Sequence, residues 1–247
     1  APGVGKTFLA RRLGYSIIRC KDTERVAMVQ FHQSYAYEDF IMGYRPDGNG
    51  FKLNPGVFYS FCKQAEGDSD NPYFFIIDEI NRGNLSKIFG ELFMLVEKDK
   101  RGKVKVTLPN HDQFSVPENI YIIGTMNTAD RSLAMLDYAL RRRFAFFDLE
   151  PGFRTAGFQV YQTGLENEKF DQLIAQVEEL NKAIASDETL GAGFCIGHSF
   201  FCGLDGDIAP KLEEIVEFEL IPLLREYWFD EPSKVQNWTD RLRGAIA

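Results

Sequence analysis

The chain has 247 residues with 28 Lys and Arg against 36 Asp and Glu, a net charge of −8, and 45% of it is apolar. At roughly 150 residues per domain this is one large domain or one with a smaller partner, and the globular composition excludes a disordered, collagen-like or coiled-coil chain. The acidic balance excludes condensation onto nucleic acid by the molecule as a whole, so any DNA contact needs a local basic patch or another domain. No stretch approaches the ~18 consecutive apolar residues of a membrane span, and no charged segment with an apolar signal core opens the chain. A cytoplasmic protein with no membrane partner is expected. Four cysteines without a C-x-x-C pair fit a reducing compartment.

The first element is Ala1-Pro2-Gly3-Val4-Gly5-Lys6-Thr7 followed by a helical stretch, Phe8 to Tyr15. This is the phosphate-loop pattern G-x-x-x-x-G-K-[ST] without its first glycine. Gly3 and Gly5 let backbone N–H groups close around phosphate oxygens, and the helix start adds a positive dipole end. Lys6 neutralises the outer phosphates, and the Thr7 hydroxyl is a ligand for Mg²⁺. Residues 2–8, from Pro2 through Val4 to Phe8, are therefore the candidate nucleotide-binding stretch.

Short apolar runs alternating with helical patterns predict a parallel sheet buried on both faces. The runs are Val26–Val29, Tyr73–Ile77, Ile120–Gly124 and Phe144–Phe147. Helical spacing joins Leu85, Ile88, Phe89, Leu92, Phe93 and Val96, and Ser132 is placed to cap a helix through Leu140. Gly43–Gly56 and Lys98–Pro117 interrupt the pattern as hairpin or loop insertions. After Pro151-Gly152 the chain turns helical over Phe170–Ser186, Pro210–Asp230 and Val235–Ala247. The fold class is therefore α/β, with an α/β nucleotide-binding part over residues 1–151 and a small helical part over 152–247.

Chemistry gathers at the strand ends. The run Ile76-Ile77-Asp78-Glu79 sets two carboxylates at the tip of a buried strand, where Asp78 is suited to the Mg²⁺ of a bound nucleotide and Glu79 to polarising a water. Asn127, after the third strand, is placed to hydrogen-bond the attacking water and the terminal phosphate. Arg141, Arg142 and Arg143 form a solvated face, a helix-dipole complement or a finger reaching into a neighbouring subunit. Lys98, Lys100, Arg101, Lys103 and Lys105 are candidates for DNA contact, with a solvated basic loop as the plain alternative. Cys195, His198 and Cys202 have the types for zinc, but their apolar surroundings favour buried hydrophobic cysteines.

The combination resembles the AAA+ superfamily, and within it the McrB-type GTPase subunits of McrBC methylation-dependent restriction systems. The resemblance is carried by Met126-Asn127-Thr128-Ala129-Asp130-Arg131-Ser132, by Val29–Tyr35, Tyr37–Phe40, Phe75–Arg82 and Asp137–Phe144, and by Gly197-His198-Ser199. It implies an AAA+ P-loop NTPase with a helical lid, Asn127 as sensor, and Thr128, Asp130 and Arg131 as part of a signature linked with GTP. It further implies Arg142 or Arg143 as a trans-acting finger, a hexameric ring, an McrC-type nuclease partner, and translocation along DNA. Nothing in the phosphate loop selects guanine, so ATP stays open. The family's module starts with a strand and a glycine ahead of the position of Ala1, and a sheet lacking that strand would bind nucleotide weakly. Two alternatives remain: an AAA+ chaperone of the metal-insertion type, and a scaffold that has lost nucleotide binding.

Overall fold

The structure is a computed structural model, and it describes residues 1–48, 50–127, 129 and 141–247. Among them the chain forms two compact units, one of residues 6–126 and 141–147, the other of residues 1–5, 127, 129 and 148–247.

The first unit runs α1 (Lys6–Ile18), β1 (Val26–Gln30), α2 (Tyr37–Phe40), the hairpin β2 (Met42–Asp47) and β3 (Gly50–Pro55), then α3 (Val57–Gly67) and β4 (Tyr73–Asp78). It continues with α4 (Leu85–Phe89), the short hairpin β5 (Val106–Thr107) and β6 (Gln113–Phe114), and β7 (Ile120–Gly124). Strands β1, β4 and β7 form a parallel sheet with β4 in the middle. Alternation along β4 sends Tyr73, Phe75 and Ile77 into the larger core with α2, α3 and α4, and Phe74 and Ile76 into a second cluster with Ala10 of α1. With both faces covered, a polar residue has no wet side to occupy, which is why the strand reads as an unbroken apolar run. The larger core is aromatic: Phe40 stacks on Phe58 at 4.8 Å, and Phe75 and Phe89 meet its ring at 5.7 and 4.7 Å. Gln30 pairs with Asp78 and Ile77 with Gly124, so all three strands end at one level.

Both insertions are hairpins, as expected. Two elements differ from the sequence reading. The helix expected across Leu85–Val96 stops at Phe89, because Gly90 adopts φ +53° and the chain continues as a 3₁₀ helix over Gly90–Val96. A side chain at Gly90 would also press on Tyr37, 2.9 Å away. The strand expected at Phe144–Phe147 is not a strand, and its Phe147 is 87% exposed. An extended segment becomes a strand only beside a free edge. The helix expected after Ser132 lies outside the described residues.

The second unit contains α5 (Ala156–Leu165), α6 (Glu168–Ser186), α7 (Ile208–Glu214), α8 (Ile221–Tyr227) and α9 (Pro232–Ile246). Side chains of Thr155, Asn167 and Asp207 cap the first turns of α5, α6 and α7. The helix expected over Pro210–Asp230 is present, but a π-helical stretch, Ile215–Leu220, joins α7 to α8. Helix α5 escaped the sequence reading. Phe170, Val177, Leu212, Leu220, Trp228 and Leu242 pack in one core. No described helix is long and apolar enough to cross a membrane.

Asp187, just past α6, ties this unit together. Its side chain is 6% exposed and accepts from Lys234 Nζ (2.6 Å), Trp228 Nε1 (2.8 Å), and the Thr189 amide (2.9 Å) and hydroxyl (2.7 Å). Lys234 above all, then Thr189 and Trp228, hold its carboxyl well below the usual carboxylate range. Asp187→Asn is expected to destabilise this unit by about 2–3 kcal/mol, since hydrogen bonds to a charged group are lost. A carboxylate depressed in the folded state stabilises fully above its unfolded value near pH 4, and less as pH falls below it. Melting curves of wild type should therefore drop steeply below about pH 4, and those of Asp187→Asn less so.

Candidate active site

Gly3 and Gly5 have φ +67° and +73°, the left-handed region where a side chain is strained, which explains glycine at both places. Lys6 opens α1, so Lys6 and Thr7 lie in its first turn, where backbone N–H groups lack helical partners and the dipole is positive. Burial lowers the Lys6 pKa, while Glu79 and Asp78 act in the opposite sense. The Lys6 ammonium is thus half-buried, with Glu79 and Asp78 close enough to favour its charged form.

Asp78 ends β4, and Thr7 Oγ1 donates to its Oδ1 at 2.9 Å. The Thr125 hydroxyl, beyond the end of β7, donates to the same oxygen. Hard oxygen donors from a hydroxyl and a carboxylate, side by side at a helix start, fit Mg²⁺, which prefers such ligands and keeps part of its water shell. Among the described residues no group of three or more His, Cys, Asp or Glu is placed to hold a metal.

Glu79 adopts φ 51°, ψ 45°, a left-handed conformation costing roughly 1–2 kcal/mol for a residue with a side chain. It persists because the residues that follow it are tied. The Ile80 amide donates to the Thr125 carbonyl and the Arg82 amide to the Glu79 carbonyl, each at 2.9 Å. Arg82 Nε also reaches Glu79 Oε2 at 3.2 Å. Such strain turns the carboxylate out of the strand line, and it is found where a side chain is aimed for chemistry.

The structure thus brings together Lys6, Thr7, Asp78 and Glu79. Phe8 is 65% exposed with Arg12 over its ring. Asn127 lies two residues past Thr125 and its Oδ1 accepts the Ala129 amide at 3.2 Å, a local turn. Thr128, Asp130 and Arg131 lie outside the described residues. The consecutive arginines separate: Arg143 is drawn to Glu97 (2.9 Å) and lies over the Phe93 ring at 4.4 Å, whereas Arg142 is exposed. The basic loop also divides. Arg101 donates to the carbonyls of Val96 and Ile120 and Lys100 binds Glu97, while Lys98, Lys103 and Lys105 are exposed. Arg101 is therefore a strut of the fold, which corrects its reading as a DNA contact. Of the zinc-type trio, His198 Nδ1 accepts the Gly152 amide (2.9 Å), and the thiols of Cys195 and Cys202 donate to backbone carbonyls.

Sequence reasoning missed Thr125 and Arg82. Thr125 follows directly on the glycine paired with Ile77, and that register was the only signal that could have found it.

A helix start carrying Lys6 and Thr7, a hydroxyl–carboxylate oxygen pair and a carboxylate set out of line at one sheet edge define the class of nucleotide-binding α/β modules. The chain belongs to the AAA family, dynein-related subfamily, whose domain model matches residues 1–144. Its helical part is similar to that of McrB, for the McrB alpha-helical lid domain model matches residues 172–236. Over 255 aligned residues it is 55% identical to the Type IV methyl-directed restriction enzyme EcoKMcrB subunit of Escherichia coli (strain K12), covering 98% of this chain and 56% of that protein. It is 27% identical over 191 residues to the Type II restriction enzyme BsuMI component YdiS of Bacillus subtilis (strain 168), covering 61% of this chain and 55% of that one. The chain thus spans about half the length of the curated relatives it matches. A crystal structure of an ATPase assigned from Cytophaga hutchinsonii aligns over 73% of this chain and 64% of its own, with 15% identity and TM-score 0.35.

Proposed function

We propose that this chain is the nucleotide-hydrolysing part of a McrB-type restriction motor. The observation that carries this is the meeting of Lys6, Thr7, Asp78 and Glu79 at one end of the sheet. On this reading the loop from Pro2 to Gly5, with Lys6, Thr7 and Phe8, takes the nucleotide. Its backbone N–H groups and the Lys6 ammonium bind phosphate oxygens. Thr7 and Asp78 would hold Mg²⁺, which when bound neutralises charge on the outer phosphates. Glu79 accepts a proton from water as its oxygen bonds the terminal phosphorus and the bond to the nucleoside diphosphate breaks. Asn127 orients that water.

Arg142 is the trans-acting finger. Arg143 is already engaged by Glu97 and Phe93 in its own subunit, so the exposed Arg142 is the one able to extend to a neighbour in a hexameric ring. Ring cycles then drive DNA past an McrC-type nuclease, with the exposed Lys98, Lys103 and Lys105 available to the phosphate backbone. GTP is favoured over ATP by the likeness of residues 126–132 to the McrB signature.

The test is phosphate release with GTP and with ATP, measured in parallel on the full-length protein mixed with its nuclease partner, with and without DNA. GTP-selective turnover that rises with DNA and nuclease is the expected result. ATP-selective turnover would retain the motor and discard the GTP assignment. Turnover indifferent to DNA and nuclease would favour a chaperone of the metal-insertion type, and none with either nucleotide a scaffold.

A further inference from the structure

The phosphate loop is gripped from behind by the helical part of the protein. The Gly197 amide donates to the Pro2 carbonyl (2.9 Å), and the Ser199 amide (2.8 Å) and hydroxyl (2.6 Å) both donate to the Gly3 carbonyl. Contact is close enough that a Cβ on Gly197 would sit 2.0 Å from the Gly3 carbonyl, and one on Gly3 would sit 2.3 Å from the Phe200 ring. The grip is mounted on a firm base. Asn181 of α6 accepts the Ile196 amide (2.6 Å) and donates to its carbonyl (2.8 Å), while His198 Nδ1 accepts the Gly152 amide (2.9 Å).

A trans peptide is planar, so its C=O and the following N–H point in opposite directions. Fixing the Pro2 and Gly3 carbonyls against residues 197–199 therefore turns the Gly3 and Val4 amides the other way, as donors of the loop. Phosphate loops bind through such amides. Neither amide can rotate without surrendering hydrogen bonds on the far side.

We propose that Ser199 is a positioning residue for nucleotide binding, setting the donor direction of the phosphate loop through the Gly3 carbonyl. This deepens the nucleotide reading above and rests on it. Ser199 touches loop backbone and leaves the reacting atoms to other residues, so its influence falls on affinity. It also makes the loop responsive to the helical part, because a shift of residues 197–199 is felt one peptide away from the phosphate donors.

The experiment measures fluorescent GTP and ATP analogue binding with Mg²⁺, together with steady-state kinetics, on full-length wild type, Ser199→Ala, Ser199→Thr and Gly197→Ala. Ser199 is exposed, so removal of its hydroxyl leaves the core packing intact. Losing one hydrogen bond of ordinary strength should weaken binding about three- to tenfold in Ser199→Ala. KM should rise by the same factor, with kcat within about twofold and the nucleotide-free melting temperature unchanged. Ser199→Thr, which keeps the hydroxyl, should restore affinity, and Gly197→Ala should lose more than Ser199→Ala. Wild-type affinity in Ser199→Ala, a fall in kcat at unchanged KM, or a binding loss matched by a drop in nucleotide-free melting would each overturn the proposal. If wild type binds neither nucleotide, the nucleotide reading itself fails and takes this proposal with it. Wild-type binding with an indifferent Ser199→Ala removes this proposal alone.

Discussion

Glu79→Gln is expected to cut phosphate release by about 10²–10⁴-fold while nucleotide binding stays near wild type, because a general base is lost and nothing is added or removed in volume. The amide cannot take a proton from water, yet it preserves the left-handed backbone geometry at φ 51° and the hydrogen bonds of the residues that follow it. Lys6 and Asp78, which meet phosphate and cation on the proposed reading, are untouched. Equilibrium binding and single-turnover hydrolysis separate the two effects. A variant that no longer binds nucleotide would show that Glu79 is a binding group, and near-normal turnover would move the base elsewhere.

Arg142→Ala is expected to lower turnover by roughly 10³-fold or more, the scale on which arginine fingers act in phosphoryl transfer, without lowering the melting temperature. Its side chain is exposed, so little packing depends on it. Arg143→Ala should behave in the opposite way. It breaks the pair with Glu97 and the contact over Phe93, so the α/β unit should melt earlier, with activity following stability. Mixing supplies the decisive control. Arg142→Ala subunits combined with Glu79→Gln subunits should recover activity, since some interfaces then hold an intact base on one side and an intact finger on the other. Absence of recovery in demonstrably mixed rings would sink the trans assignment. A pattern in which Arg143→Ala is the stable, inactive, complementable variant would exchange the two arginines.

How much of the fold and site was legible in the sequence depends on the range of the interactions. The loop could be read residue by residue, because Gly3 and Gly5 are demanded by backbone angle and Lys6 and Thr7 by charge and donor type, all within one turn of chain. The strand β4 was equally plain, since burial on both faces leaves a short apolar run, rich in aromatic and β-branched residues and too short for an ordinary helix. The stretch Phe144–Phe147 is also apolar and is no strand, for pairing needs an edge and composition cannot supply one. Gly90 shows a subtler limit. Periodicity carried through it, but one positive φ divided the helix.

Sequence alone determined the chemistry available: the phosphate-loop residues, the carboxylate pair Asp78-Glu79 and the run of arginines, because each is a local pattern of residue types. Tertiary structure decided how that chemistry is deployed. Parallel register placed Thr125 on Asp78, the partner Glu97 took Arg143 and left Arg142 exposed, and Ser199 reached the Gly3 carbonyl across 196 residues of chain. Distances between residues so far apart in sequence are fixed by the packing of whole elements. A single chain's pattern records what each residue can do, and the fold selects which neighbour it does it to.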